Sequence, residues 1–358
     1  MPRKRIIYQS EALFVGPTGA ASPTQLNRVQ SANYSFDITR QDINQFGQLG
    51  AIDRVIVEQP TVSLDFSYYA NNGFNETGIG FVLGTSKGAL ADILSGGRDI
   101  QNYYIYVSPE GTDANIDTAQ TGVSGGAGRV IGIGNAGLTS YSVEAAVGGF
   151  PTVTVNAEAL NMKFYGATTG YVPTVNPLDG APDATTTFAI PTPTTGLGFT
   201  ALRPGDITLA VSGVGFNAAD LKIQSFSLST DIGREPIQKL GSKYAFSRDI
   251  SFPVTVTASV EAIVGDIGGT DNLGNALTDI VCNDANSWDL QFTLGQSTAD
   301  CLTSTPPTKA MRYTLKGAKL DSQEVSSAIG DNKSVTLGFS AQIAGPTDTN
   351  KGLFIEGP

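Results

Sequence analysis

Between Val29 and Phe66 the chain writes a pattern that it repeats, without a gap, from Ile223 to Val260. Val29-Gln30-Ser31 falls on Ile223-Gln224-Ser225, and Ser35, Asp37 and Ile38 fall on Ser229, Asp231 and Ile232. Arg40, Ile43, Phe46 and Gly47 then meet Arg234, Ile237, Leu240 and Gly241. Ala51, Arg54, Ile56, Thr61 and Val62 meet Ala245, Arg248, Ile250, Thr255 and Val256. Two later landmarks keep the order, Ala89–Leu94 on Ala276–Val281 and Thr152–Val155 on Ser334–Leu337. Solenoid repeats recur every 20–50 residues or so. A spacing this long marks a duplicated domain. With 358 residues, each copy is long enough to bury a core. The expected division is a first copy over 1–167, a second over 205–345 and a tail over 346–358. Between the copies lies a Pro-, Thr- and Gly-rich linker or arm over 168–204.

The clearest strand in each copy alternates with period two. Val62, Leu64 and Phe66 oppose Thr61, Ser63, Asp65 and Ser67, and Val256, Ala258 and Val260 oppose Thr255, Thr257, Ser259 and Glu261. One face therefore packs on a core while a hydroxyl-rich face, with one carboxylate per copy, meets water or a partner. Further strands are expected over Ile6–Val15, Ile207–Val214, Tyr103–Val107 and Leu290–Leu294. After each shared arginine the spacing of Ile43, Phe46 and Gly47, and of Ile237, Leu240 and Gly241, predicts a short helical turn, with Pro236 at its first position. Ser86 to Gly97 predicts one flanking helix, repeated from Asn275. The expected class is mainly β (α+β): two tandem sandwich- or barrel-like domains, each with one helix.

The absence of histidine removes imidazole-dependent triads, His-ligated zinc and ordinary His acid–base chemistry. Acidic residues show no metal-ligand spacing. The run Gly132-Ile133-Gly134-Asn135-Ala136-Gly137 fits a dinucleotide fingerprint, but an alternating strand pattern follows where a helix is required. A glycine-rich hairpin is expected there instead. No catalytic, cofactor or metal residues are assigned, and no enzymatic activity is expected. The formal charge of −11 disfavours a grip on nucleic acid. Residue types alone leave Cys282 and Cys301 open between a disulfide and two buried thiols; the thiols are preferred. No apolar run reaches the roughly 20 residues of a membrane span. Arg40, Arg54, Arg234 and Arg248 suit ion pairing or loop anchoring, within or between subunits.

The run Asp42–Gly47, the strand Thr61–Tyr69, and Thr139–Ala145 through Gly148-Gly149-Phe150-Pro151-Thr152-Val153 resemble the tail tube (major tail) proteins of long-tailed bacteriophages. The resemblance implies a virion protein made in the host cytoplasm. Its domains join edge to edge into rings around a channel, and the rings stack into a tube through which DNA passes. Two domains per chain imply trimeric rings with pseudo-sixfold symmetry, with hexameric rings as the other option. Tape-measure and tail-terminator proteins would be partners. In that frame Thr61, Ser63, Asp65, Thr255, Thr257, Ser259 and Glu261 are expected to face the lumen. The four arginines are expected at ring or stacking contacts. The alternative is a non-enzymatic binding protein: a two-domain β adhesin, or a component of the tail tip, baseplate or fibre.

Overall fold

The computed structural model describes residues 10–108, 128–191, 207–212, 222–263, 287–296, 308–326 and 332–358, with Ala114 and Leu202. The first copy opens with β1 (Glu11–Pro17), β2 (Thr24–Gln25), β3 (Val29–Asp37), β4 (Arg40–Ile43), β5 (Asp53–Ile56) and β6 (Thr61–Tyr69). Two short helices follow, α1 (Phe74–Gly78) and α2 (Ala91–Leu94). The copy closes with β7 (Ile100–Val107), β8 (Arg129–Ala146), β9 (Thr152–Ala159) and β10 (Asn161–Tyr165). A hairpin of β11 (Thr169–Tyr171) and β12 (Thr187–Ala189) lies between the copies. The second copy runs β13 (Ile207–Ser212), β14 (Lys222–Asp231), β15 (Arg234–Ile237), β16 (Ser247–Ile250) and β17 (Thr255–Ile263). It ends with β18 (Trp288–Gln296), β19 (Thr308–Ser326), β20 (Ser334–Gln342) and β21 (Gly352–Glu356). The protein is mainly β.

The duplication reappears in the pairing, residue by residue. Val62 faces Ala159 between β6 and β9, as their counterparts Val256 and Ala341 face each other between β17 and β20. The irregularity between Val29 and Ser31 recurs between Ile223 and Ser225. That between Leu138 and Ser140 recurs between Leu320 and Ser322. β14 is thus the counterpart of β3, and β19 of β8.

The two copies share one sheet. β3, β6, β9 and β8 of the first continue, through antiparallel pairing of β8 with β14, into β14, β17, β20 and β19 of the second. β8 and β19 are long enough to serve twice. Their first halves pair instead with β7 and β10, and with β18 and β21, to build a second layer behind the shared sheet. One apolar core fills the space between, drawing on Phe66, Tyr141 and Val143 from the first copy and Phe226, Phe292 and Leu337 from the second. Phe226 stacks on Phe292 with ring centroids 4.4 Å apart. Closure of this core in both copies removes apolar surface from water, which is the main term holding the halves together.

Three expectations need correction. The segments after Arg40 and Arg234 are β-hairpins, β4–β5 and β15–β16, not helical turns. Gly47 and Gly241 hold φ near +87° and +86° at their tips, and left-handed glycine marks a tight turn as readily as a helix end. The predicted flanking helix shrinks to the four residues of α2; Leu90, not Ser86, precedes it, although Gly96 does follow it at φ +81°. Its counterpart from Asn275 lies outside the described residues, as do Cys282, Cys301 and residues 1–9. The glycine-rich run lies inside strand β8, not in a hairpin. Each glycine admits a neighbour: a Cβ on Gly134 would collide with the Pro173 carbonyl, and one on Gly132 would lie 2.8 Å from the Tyr165 ring. The linker and the tail hold strands of their own, β11–β12 and β21. Phe188 of β12 packs its ring 4.5 Å from that of Tyr104, and Leu353, Phe354 and Ile355 of β21 are buried.

Candidate functional site

Every strand of the shared sheet sends alternate side chains away from the core, so the sheet has one continuous outer face. The seven hydroxyl and carboxylate residues expected to face the lumen all stand on it. Ser63, Asp65 and Thr257 are exposed; Thr61, Thr255, Ser259 and Glu261 are half-buried. Short polar side chains form rungs between strands. Ser31 and Ser67 hydroxyls lie 2.7 Å apart, Ser229 and Thr257 hydroxyls 2.8 Å, and Asn156 donates to Ser140 at 2.7 Å. Asn33 donates to Asp65 at 2.8 Å, and Ser225 to Glu261 at 3.1 Å. Sequence reasoning missed Glu144, Asp231 and Glu324 on this face, because their strands pair only at long range. The face is hydroxyl-rich and acidic. Among the described residues, no cluster of three or more Asp, Glu, Cys or His side chains could hold a metal ion. No helix among them is long and apolar enough to cross a membrane.

The joint between the copies runs from Ser140 opposite Asp231 to Ala146 opposite Ser225. On its core side Val143 and Leu228 are fully buried, and Thr230 is 2 % exposed. Two of the four arginines clamp it from the β15–β16 hairpin. Arg234, its side chain 2 % exposed, pairs with Asp99 at 2.6 Å and donates to the Leu138 carbonyl at 2.7 Å. Arg248 pairs with Glu158 at 3.2 Å and donates to the Ala159 carbonyl at 3.3 Å. Space for the Arg234 guanidinium comes from Gly137, where a Cβ would lie 2.6 Å from its Cζ. Their counterparts Arg40 and Arg54 are exposed on β4 and β5, and Arg54 pairs with Asp42 of its own hairpin at 3.2 Å. The structure therefore separates what the repeat presents as equivalent.

Two edges and two hairpins remain uncovered by any described strand. The outer edge of β3 and that of Ser322–Ser326 in β19 end the shared sheet. On them Phe36 is 60 % and Val325 49 % exposed. Both hairpins leave the sheet at the same end, because β4–β5 connects β3 to β6 as β15–β16 connects β14 to β17. Their tips carry Phe46, Leu49 and Leu240 in full solvent contact.

Behind the sheet sits a buried carboxyl that no sequence pattern flagged. Glu76 of α1 is fully buried and accepts hydrogen bonds at one oxygen from Tyr68 (2.9 Å) and Tyr141 (3.2 Å). Tyr141 in turn meets Tyr313 of the second copy at 2.8 Å. Burial raises the Glu76 carboxyl above its ordinary range, and the tyrosine bonds only partly oppose this.

No protein-family model and no curated protein matches this sequence. Among solved structures the chain is similar to a component of the anti-feeding prophage baseplate, determined by cryo-electron microscopy with sixfold symmetrisation. The identity is 11% and the TM-score 0.29, over 46% of this chain and 97% of that one.

Proposed function

We propose that this chain is a structural, non-enzymatic virion protein that forms rings and stacks them into the tube of a bacteriophage tail. The observation that carries the reading is the shared sheet: two copies of one domain already joined edge to edge, with an edge at each end that no described strand covers. A head-to-tail interface repeats until it closes into a ring or grows as a helix. Closing it also removes the hazard of exposed strand edges. The hydroxyl-rich, acidic face would line the channel, where phosphates are repelled and DNA slides without sticking. The hairpins at one end of the sheet, with Phe46, Leu49 and Leu240 at their tips, would meet the next ring.

Geometry favours three chains per ring. Each contributes the eight strands β3, β6, β9, β8, β14, β17, β20 and β19. About 24 strands at about 4.8 Å spacing and ~40° tilt close at a backbone diameter of roughly 48 Å. Side chains projecting inward leave about 35–40 Å, wider than a DNA duplex. Two chains would leave about 20 Å, with no clearance, and six would roughly double the bore. Tape-measure and terminator proteins would then meet the tube inside and at its end.

Electron microscopy of the purified chain, across a range of concentration and salt, tests the reading. Hollow tubes or annular particles support it. A monodisperse particle without a channel in every condition overturns it in favour of a binding protein.

A further inference from the structure

The internal joint supplies a template for the external one. β14 is the residue-by-residue counterpart of β3, and the last part of β19 that of β8, down to matching irregularities in register. We propose that β3 of a second copy of this chain pairs antiparallel with β19 in one fixed register: Asp37 opposite Ser322, Ser35 opposite Glu324, Tyr34 opposite Val325 and Asn33 opposite Ser326. This deepens the ring reading and rests on it.

The occupant is fixed by what already sits on the equivalent edge. β8 takes β14, with Ser142 opposite Ser229 and Val143 opposite Leu228. These transfer to Glu324 opposite Ser35 and Val325 opposite Tyr34. Burial tells the same story. Val143 is fully buried in the closed joint while its counterpart Val325 is 49 % exposed, and Thr230 is 2 % exposed against 60 % for Phe36. The open edges therefore expose on their core side what the closed joint covers. A slip of one residue would set the core side of one chain's sheet against the polar face of the other's, so only even slips compete.

The transfer covers the strands and stops at the arginine clamp. Gly137, which makes room for Arg234, corresponds to Lys319, so Arg40 finds no matching seat. Glu158, the partner of Arg248, corresponds to Ser340, and Arg54 is paired within its own hairpin instead. The external joint is thus a strand joint without the hairpin clamp, and it would open more easily than the internal one.

Disulfide trapping reads the register. In a background carrying Cys282→Ser and Cys301→Ser, chains with Ser35→Cys are mixed with chains carrying Glu324→Cys and oxidised mildly. Directly opposed Cβ atoms lie about 4.5–5.5 Å apart, close to disulfide reach, whereas partners two residues along lie about 7–8 Å apart. The expected result is a covalent dimer from the mixture, none from either chain alone, and about tenfold less from Ser35→Cys mixed with Ser322→Cys. Should the background fail to fold, amide exchange on the unaltered chain serves: assembly is expected to slow exchange about tenfold or more at residues 31–37 and 322–326. Preference for the slipped pair, or rings whose two edges stay unprotected and uncross-linked, overturns the register while leaving the ring reading standing; dimers of Ser35→Cys with itself overturn both, because a β3–β3 joint closes on itself and propagates no ring. Absence of any assembly overturns both.

Discussion

Arg234 and Arg40 occupy the same place in the repeat, yet only Arg234 is buried, paired with Asp99 and bonded to the Leu138 carbonyl. Removing one partner of a buried pair leaves the other uncompensated, at a cost of roughly 3–5 kcal/mol. Arg234→Ala is therefore expected to lower the free energy of unfolding by about 3 kcal/mol, whereas Arg40→Ala stays within about 0.5 kcal/mol. Denaturant unfolding of the unassembled chain distinguishes them. Equal effects would remove the clamp from the account. Glu76 gives a second prediction at this scale. Its folded pKa is raised, so its contribution to stability is full below the unfolded value of about 4.3 and falls as pH climbs through the folded one. Tyr68, Tyr141 and Tyr313 around it are raised well above their ordinary value and stay neutral there. Glu76→Gln should melt with wild type near pH 4 and above it at pH 8. A variant that melts lower at pH 8 would mean the carboxylate is stabilising.

At the level of elements, the hairpins and the polar face make separable predictions. Phe46 and Leu49 are fully exposed among the described residues, so Phe46→Ser with Leu49→Ser should leave folding unchanged while shortening tubes severalfold in micrographs. Normal tube length would clear the hairpin of a stacking role. Asp65→Lys with Glu261→Lys should permit assembly but make the assemblies retain duplex DNA at low salt, releasing it as salt rises. Failure to retain DNA would place those side chains away from the lumen. Much of this level was legible in sequence. The alternation at Thr61–Phe66 and Thr255–Val260 placed two central strands and both faces correctly, because period two is a local signal. The hairpins were misread because an apolar pair three apart followed by glycine fits a helix end and a tight tip equally. β21 was missed because its five residues become a strand only by pairing with β19.

For the molecule as a whole, the duplication could be read from the sequence, but the way the copies join could not. β3 and β14 present nearly the same local pattern, and nothing local says that one closes on β8 while the other stays open. That distinction lives in long-range pairing, and in replacements such as Gly137 by Lys319 that carry meaning only once the hairpin is in view. One consequence reaches the assembly. Internal joints are clamped by Arg234 and Arg248 while external joints lack the clamp, so a ring should come apart between chains and never within one.

Rotational averaging of end-on views in the electron microscope asks whether each chain supplies two successive sectors of a closed barrel. A hollow ring with threefold symmetry and six similar lobes around an open channel is the expected result. A ring with true sixfold symmetry and twelve lobes would break the three-chain closure. Particles with no channel would mean that the chain forms no tube.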